Sequence, residues 1–168
     1  DGSKAAISFK EDGSDWTDIM VADLEKKEFL PERLTKVRYA GTTWLDGSGF
    51  YYTRFDEVIE EKRLTQKLTR PKLYYHKVGT GQEQDVLVLK SQIDLVMLAC
   101  SDIIDEKYLL INEYGEINDY YLQEIDYPKN KIPIIENNTD QFSYMGVIGK
   151  QLIFSTNIDC PMGKVVMI

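Results

Sequence analysis

The chain is short of the residues from which most active centres are built. It has one histidine, His76, and two cysteines, Cys100 and Cys160, which form no CxxC pair. No set of residues carries zinc-ligand spacing, and so few isolated cysteines suit a reducing compartment. A Ser-His-Asp relay would have only His76 to draw on, and Gly47-Ser48-Gly49, the nearest string to a nucleophile elbow, lacks the GxSxG spacing. Positive charge is also in deficit, with 20 Lys and Arg against 28 Asp and Glu, a net −8. A phosphate backbone or an anionic lipid surface is therefore repelled, and no nucleic acid is expected as a partner. No apolar run approaches the roughly 20 residues of a membrane span. The opening Asp1-Gly2-Ser3-Lys4 lacks the basic-then-apolar pattern of a secretory signal. The expectation is a protein with no metal, no cofactor and no membrane partner.

What the chain does have is strand chemistry. Of its 168 residues 43% are hydrophobic and 11% aromatic, enough for a packed core. Thirteen short segments rich in Val, Ile, Leu, Tyr, Phe and Thr are bounded by Gly, Asp, Asn or Pro: residues 5–9, 16–24, 39–45, 50–55, 73–78, 85–89, 97–101, 108–114, 120–126, 132–136, 142–148, 151–156 and 164–168. This predicts an all-β protein with no long helix. Similar turns open several of these segments, at Asp1-Gly2, Asp46-Gly47, Asp105-Glu106 and Gly149-Lys150, spaced 45, 59 and 44 residues apart. Repeats of about 40–50 residues with four strands each indicate propeller blades. With the repeated turn joining the first strand of a blade to its second, the expected blades are 1–35 (partial), 36–90, 91–138 and 139–168 (partial). The Asp1-Gly2 turn then expects a strand before it, and the chain reads as a cut through a larger propeller. Neither WD dipeptides nor paired-glycine kelch signatures occur.

The longer spacing comes from a densely charged insertion, DEVIEEKRLTQKLTRPK, at 56–72. The residues alone read as a solvated hairpin extension, although long loops in compact domains are often functional. Carboxylate pairs at Asp12/Asp15, Asp56/Glu57, Glu60/Glu61 and Asp105/Glu106 fall in turns or charged runs, where they read as solvated charge. The DGSDWTD string lacks the alternating-oxygen spacing of a calcium loop. His76 alternates with Tyr75 and Lys77 and reads as a structural or surface residue. No catalytic machinery is visible.

Residues 13–55, GSDWTDIMVADLEKKEFLPERLTKVRYAGTTWLDGSGFYYTRF, and 72–88, KLYYHKVGTGQEQDVLV, resemble the propeller of prolyl oligopeptidases, serine peptidases that cut short peptides after proline. The likeness is specific over about residues 1–90 and looser beyond, where DEKYLLI and STNIDCPMGKVVMI keep the pattern. It implies a partial seven-bladed β-propeller of four-stranded antiparallel blades, capping an α/β-hydrolase peptidase domain of the same chain that is absent from these residues. It implies short proline-containing peptides as substrates, a cytoplasmic location and a propeller that excludes large substrates. The family's catalytic Ser, Asp and His match no position here, so the segment is expected to be inactive alone. The resemblance places Tyr39, in KVRY, and Met97 on the propeller face toward the active site, and makes 56–72, from Asp56 to Lys72, an insertion that influences access. In an up-and-down blade the connections around Tyr39, Met97 and 56–72 emerge at one end, which supports grouping them. From the residues alone Tyr39 and Met97 read equally well as blade–blade packing. Open blade edges also invite self-association, and a stand-alone propeller-like or sandwich binding module remains the alternative.

Overall fold

The computed structural model describes residues 2–10, 15–56, 70–95 and 97–168, with Tyr39 and Ala40 by their backbone alone. The described residues form thirteen strands and a short 3₁₀ turn at Gln82–Gln84. The chain divides into two compact units, Asp1–Cys100 and Ser101–Ile168.

The first unit carries one antiparallel sheet in sequence order: β1 (Lys4–Lys10), β2 (Trp16–Asp23), β3 (Glu28–Asp46), β4 (Gly49–Arg54), β5 (Lys72–Lys77) and β6 (Val86–Lys90). The 19-residue β3 holds it together, pairing with β2 along its first half and with β4 along its second. The sequence reading began a strand only at 39, because Pro31 and the charged residues around it weaken the strand signal. The structure accommodates Pro31 in an irregularity, where Leu30, Pro31 and Glu32 stand opposite the single Val21. A second irregularity sets Thr35 and Lys36, the latter at φ +60°, opposite Asp18. That extra residue lets Leu34 and Val37 both face inward although they are three positions apart. They pack with Ile19, Val21, Phe50, Tyr52 and Tyr74 in the core of this unit.

β7 (Met97–Ile104) begins in the first unit and ends in the second. It forms a sheet with β8 (Tyr108–Tyr114), β9 (Asn118–Glu124) and β10 (Lys131–Ile135), and β11 (Phe142–Ile148), β12 (Gln151–Thr156) and β13 (Lys164–Met167) form another. The recurring turns read from the sequence fall at hairpins β3–β4, β7–β8 and β11–β12. Asp105 and Glu106 both adopt positive φ, +52° and +53°, the backbone that matches a two-residue turn to the twist of its strands. The core of the second unit is Leu110, Tyr120, Ile135, Leu152 and Phe154, with the Phe154 ring in edge contact with Tyr120, Phe142 and Tyr144. The all-β expectation holds, and among the described residues no helix is long and apolar enough to cross a membrane.

Candidate functional site

One face of the β4–β5 ladder changes from apolar to charged along its length. Three cross-strand pairs occupy it: Phe50 with His76, Tyr52 with Tyr74, and Arg54 with Lys72. The last sets two cations directly opposite each other, an arrangement that is destabilising unless an anion intervenes. Asp56, two residues beyond Arg54, supplies it. Its Oδ1 accepts Arg54 Nε at 2.8 Å, and its Oδ2 accepts Lys72 Nζ at 2.7 Å and the Tyr74 hydroxyl at 2.6 Å. The Arg54 guanidinium also lies 3.8 Å over the Tyr74 ring. The side chains of Arg54, Lys72 and Asp56 are 16%, 15% and 28% exposed, so the cluster stands between a surface ion pair and a buried one. Burial works to raise the Asp56 pKa, but the bonds from Lys72, Tyr74 and Arg54 together outweigh it and hold the carboxyl below its ordinary value.

Deeper in the sheet, Asp85 plays the matching part. Its side chain is fully buried, as is that of His76. Asp85 Oδ1 lies 2.7 Å from His76 Nδ1, and Oδ2 accepts the Tyr52 hydroxyl at 2.5 Å. An ionised carboxylate can only accept, so Nδ1 carries the proton. Burial foremost, then the bond to Asp85, raises the Tyr52 pKa, which keeps the phenol a donor. The Tyr52 oxygen also accepts Arg54 Nη1 at 3.2 Å and Gln82 Nε2 at 3.0 Å. Gln82 in turn binds both backbone groups of Thr35, accepting its N–H at 3.1 Å and donating to its carbonyl at 3.0 Å. A continuous polar path thus runs from the irregular part of β3 through Gln82, Tyr52 and Asp85 to Arg54 and Asp56.

Strand register places the sequence-predicted residues at one end of this unit. Asp56 and Lys72, the two limits of the expected insertion, meet in an ion pair; positions 57–69 lie outside the described residues. The backbone of Tyr39 lies in the interval between Val37, opposite Arg54, and Thr42, opposite Tyr52; its side chain is outside the description. Met97 opens β7 and is half-buried. The next carbonyl, of Leu98, accepts the Thr53 hydroxyl at 2.6 Å, and that of Cys100 accepts the Thr43 hydroxyl at 2.6 Å. This order sets the Met97 end of β7 toward the Arg54 end of β4. At the other end of β4, an open depression of about 370 Å³ is lined by Gly2, Lys4, Trp44, Asp46 and Gly47.

The sequence reading treated Asp56 as solvated charge, whereas three protein donors bind it. It passed over Arg54, Tyr52, Tyr74, Gln82 and Asp85 entirely. One signal was available: Phe50, Tyr52 and Arg54 alternate on one strand as Lys72, Tyr74 and His76 alternate on the next. Of His76 the structural reading applies, with the ring fully buried and tilted 5.3 Å from Phe50. Asp56 and Asp85 spend their lone pairs on protein donors, so what this cluster does chemically is hold backbone in place.

Comparison with known proteins follows the same line. A family model described as the prolyl oligopeptidase N-terminal β-propeller domain matches residues 1–168. The chain is 30% identical over 168 residues to a prolyl endopeptidase of Elizabethkingia meningoseptica, a match covering 98% of this chain and 24% of that protein. It is 29% identical to a prolyl endopeptidase of Elizabethkingia miricola, again over 98% of this chain and 24% of that protein. The chain therefore spans about a quarter of the length of these curated relatives. Among solved structures, prolyl oligopeptidase B from Galerina marginata in its apo form superposes with a TM-score of 0.76 at 21% identity, covering 99% of this chain and 25% of that one. A chain from a study of two prolyl endopeptidases and their inter-domain dynamics gives a TM-score of 0.80 at 21% identity, covering 99% and 24%. At such identity these structures speak for the fold, an all-β propeller domain, and the match along the whole chain speaks for the family: the chain belongs to the N-terminal β-propeller domains of prolyl oligopeptidases.

Proposed function

We propose that this chain is part of the propeller of a cytoplasmic serine endopeptidase that cleaves short peptides after proline, and that its role is to restrict access to a peptidase domain elsewhere in the same protein. The observation that carries the reading is the family match over residues 1–168, joined to the clustering of Asp56, Lys72, the Tyr39 backbone and the start of β7 at one end of the first unit. In this reading the blades are 1–35, 36–90, 91–138 and 139–168 of a seven-bladed ring, the first and last of them partial. Tyr39 and Met97 face the peptidase domain, and 56–72 controls which peptides pass. Folded proteins are excluded by size and short proline-containing peptides are admitted. The segment binds no cofactor and carries none of the catalytic residues.

Two measurements test this. A chromogenic proline-peptide assay on the 168-residue chain is expected to give no turnover above background; clean material with activity overturns the assignment of chemistry to another domain. In the full-length protein, replacing 57–71 by a short Gly-Ser linker is expected to change kcat/KM for peptides of about 30 residues while leaving dipeptide substrates unaffected. Equal kinetics for long and short peptides before and after the replacement sink the access role.

A further inference from the structure

Asp56 and Lys72 already pair with each other, yet a half-exposed ion pair between long side chains is weakly positioned, because each must give up rotamer freedom to hold it. Something more rigid stands behind this one. Arg54 reaches in two directions at once, with Nε on Asp56 at 2.8 Å and Nη1 3.7 Å from Asp85 Oδ2. Nη1 also donates to the Gln82 carbonyl at 3.3 Å. Asp85 itself cannot relax, since it is fully buried, bound by His76 and Tyr52, and fixed in the backbone leading into β6. The charges balance as well. Arg54 and Lys72 supply two cations and Asp56 and Asp85 two anions, so no net charge is buried when His76 is neutral. The His76 Nε2 has no partner among the described residues, which costs less as a bare lone pair than as a buried, unpaired N–H.

We propose that Asp85, clamped by His76 and Tyr52, is a positioning residue that orients Arg54 and through it Asp56, so that the neck of the 56–72 insertion is fixed from β6 and not by the Asp56–Lys72 pair alone. The functional meaning of that neck rests on the access role proposed above, but the positioning is measurable without any activity.

The experiment is NMR of the Arg54 Nε–H in the full-length protein labelled with ¹⁵N-arginine, whose exchange with solvent reports how firmly Asp56 is held. Asp85→Asn is expected to accelerate that exchange about tenfold or more, the scale of one charge-assisted hydrogen bond lost. Tyr52→Phe, which removes one hydroxyl from a packed ring and is the milder change, should accelerate it by a smaller factor in the same direction. Tyr144→Phe removes a hydrogen bond of the same 2.5 Å length, to Asp102, in the other unit and serves as the control. It should leave Arg54 exchange unchanged. If Asp85→Asn does not fold, Tyr52→Phe carries the test. Unchanged exchange in the folded Asp85 and Tyr52 variants overturns the proposal, as does an equal acceleration in Tyr144→Phe, which would mark a loss of general stability. Loss of discrimination between long and short peptides with exchange unchanged would also refute the positioning while leaving the access role standing.

Discussion

Replacing Asp56 with Asn puts the electrostatics of the β4–β5 face to a quantitative test. The substitution keeps the shape and one acceptor oxygen but removes the charge between Arg54 and Lys72, which sit directly opposite each other across the ladder. Two limits bracket the cost. An exposed pair is worth about 0.2–1 kcal/mol, and removing one partner of a fully buried pair costs about 3–5 kcal/mol. With side chains 15–28% exposed and three donors converging on one carboxylate, the cluster falls between them. A loss of about 2 kcal/mol is expected, corresponding to a fall in Tm of about 4–8 °C for a domain of this size.

The assay is urea unfolding followed by tryptophan fluorescence. Both tryptophans, Trp16 and Trp44, lie in the unit that contains Asp56, so the signal reports on that unit. Asp15→Asn is the internal comparison. Asp15 pairs with Arg38 at 2.6 Å, but its side chain is 66% exposed, and its removal should shift stability by less than about 0.5 kcal/mol. The pH dependence supplies a second check. The native Asp56 pKa lies below the ordinary 3.8, so its contribution is fully present above that value and is lost as pH falls through the lower native one. Wild type and variant should differ at pH 7 and converge in acid below the ordinary carboxylate range. An Asp56→Asn cost no larger than that of Asp15→Asn, or a difference that persists undiminished into acid, would refute the reasoning.

Alkaline pH should act through the buried tyrosines. Burial first and foremost raises Tyr51 to about 12 and pushes Tyr52, Tyr121 and Tyr144 upward too, with Asp85, Glu113 and Asp102 adding to the last three. Stability from these groups is complete below the ordinary tyrosine value and lost as pH rises past it, so a 295 nm titration should show them ionising only with unfolding, after exposed Tyr127. Gly49→Ala should destabilise the first unit by about 2 kcal/mol or more in the same urea assay, because a Cβ there would collide with the His76 carbonyl and the Tyr75 ring. Phe154→Ala should cost about 3–5 kcal/mol by calorimetry, since the fully buried ring is the hub on which Tyr120, Phe142 and Tyr144 pack.

How much of this was legible in the chain depended on whether the signal was local. Hairpins were, because a turn such as Asp105-Glu106 is specified by adjacent residues and flanked by alternating apolar strands. The first half of β3 was not. Its strand identity comes from Leu34 and Val37 packing on β2, a contact that the charges around Pro31 conceal until the irregularities are seen. The polar cluster was hidden for the same reason. Asp85 and His76 are nine residues apart with a turn between them, and neither the Thr35–Gln82 bonds nor the Arg54–Asp85 approach leaves any trace in spacing. Asp56 was singled out only as the edge of a charged run, where sequence cannot separate a solvated carboxylate from one that neutralises two cations.

That ambiguity has a physical resolution in the placement of the charges. A strand that leaves a ladder for a long excursion and returns beside itself must hold its two ends together where pairing stops. Between β4 and β5 the last paired residues are both cationic, Arg54 and Lys72, so the ladder alone would push its ends apart at the point of departure. An acidic residue immediately after the strand reverses the sign of that interaction, and Asp56 is the first position past Arg54 on the same face of an extended chain. The buried Asp85 then lets Arg54 be held from behind without leaving an unbalanced charge in the core. Cation pair, bridging carboxylate and buried counter-ion are consequences of one another, and removing any of the three leaves the other two in a worse electrostatic position than before.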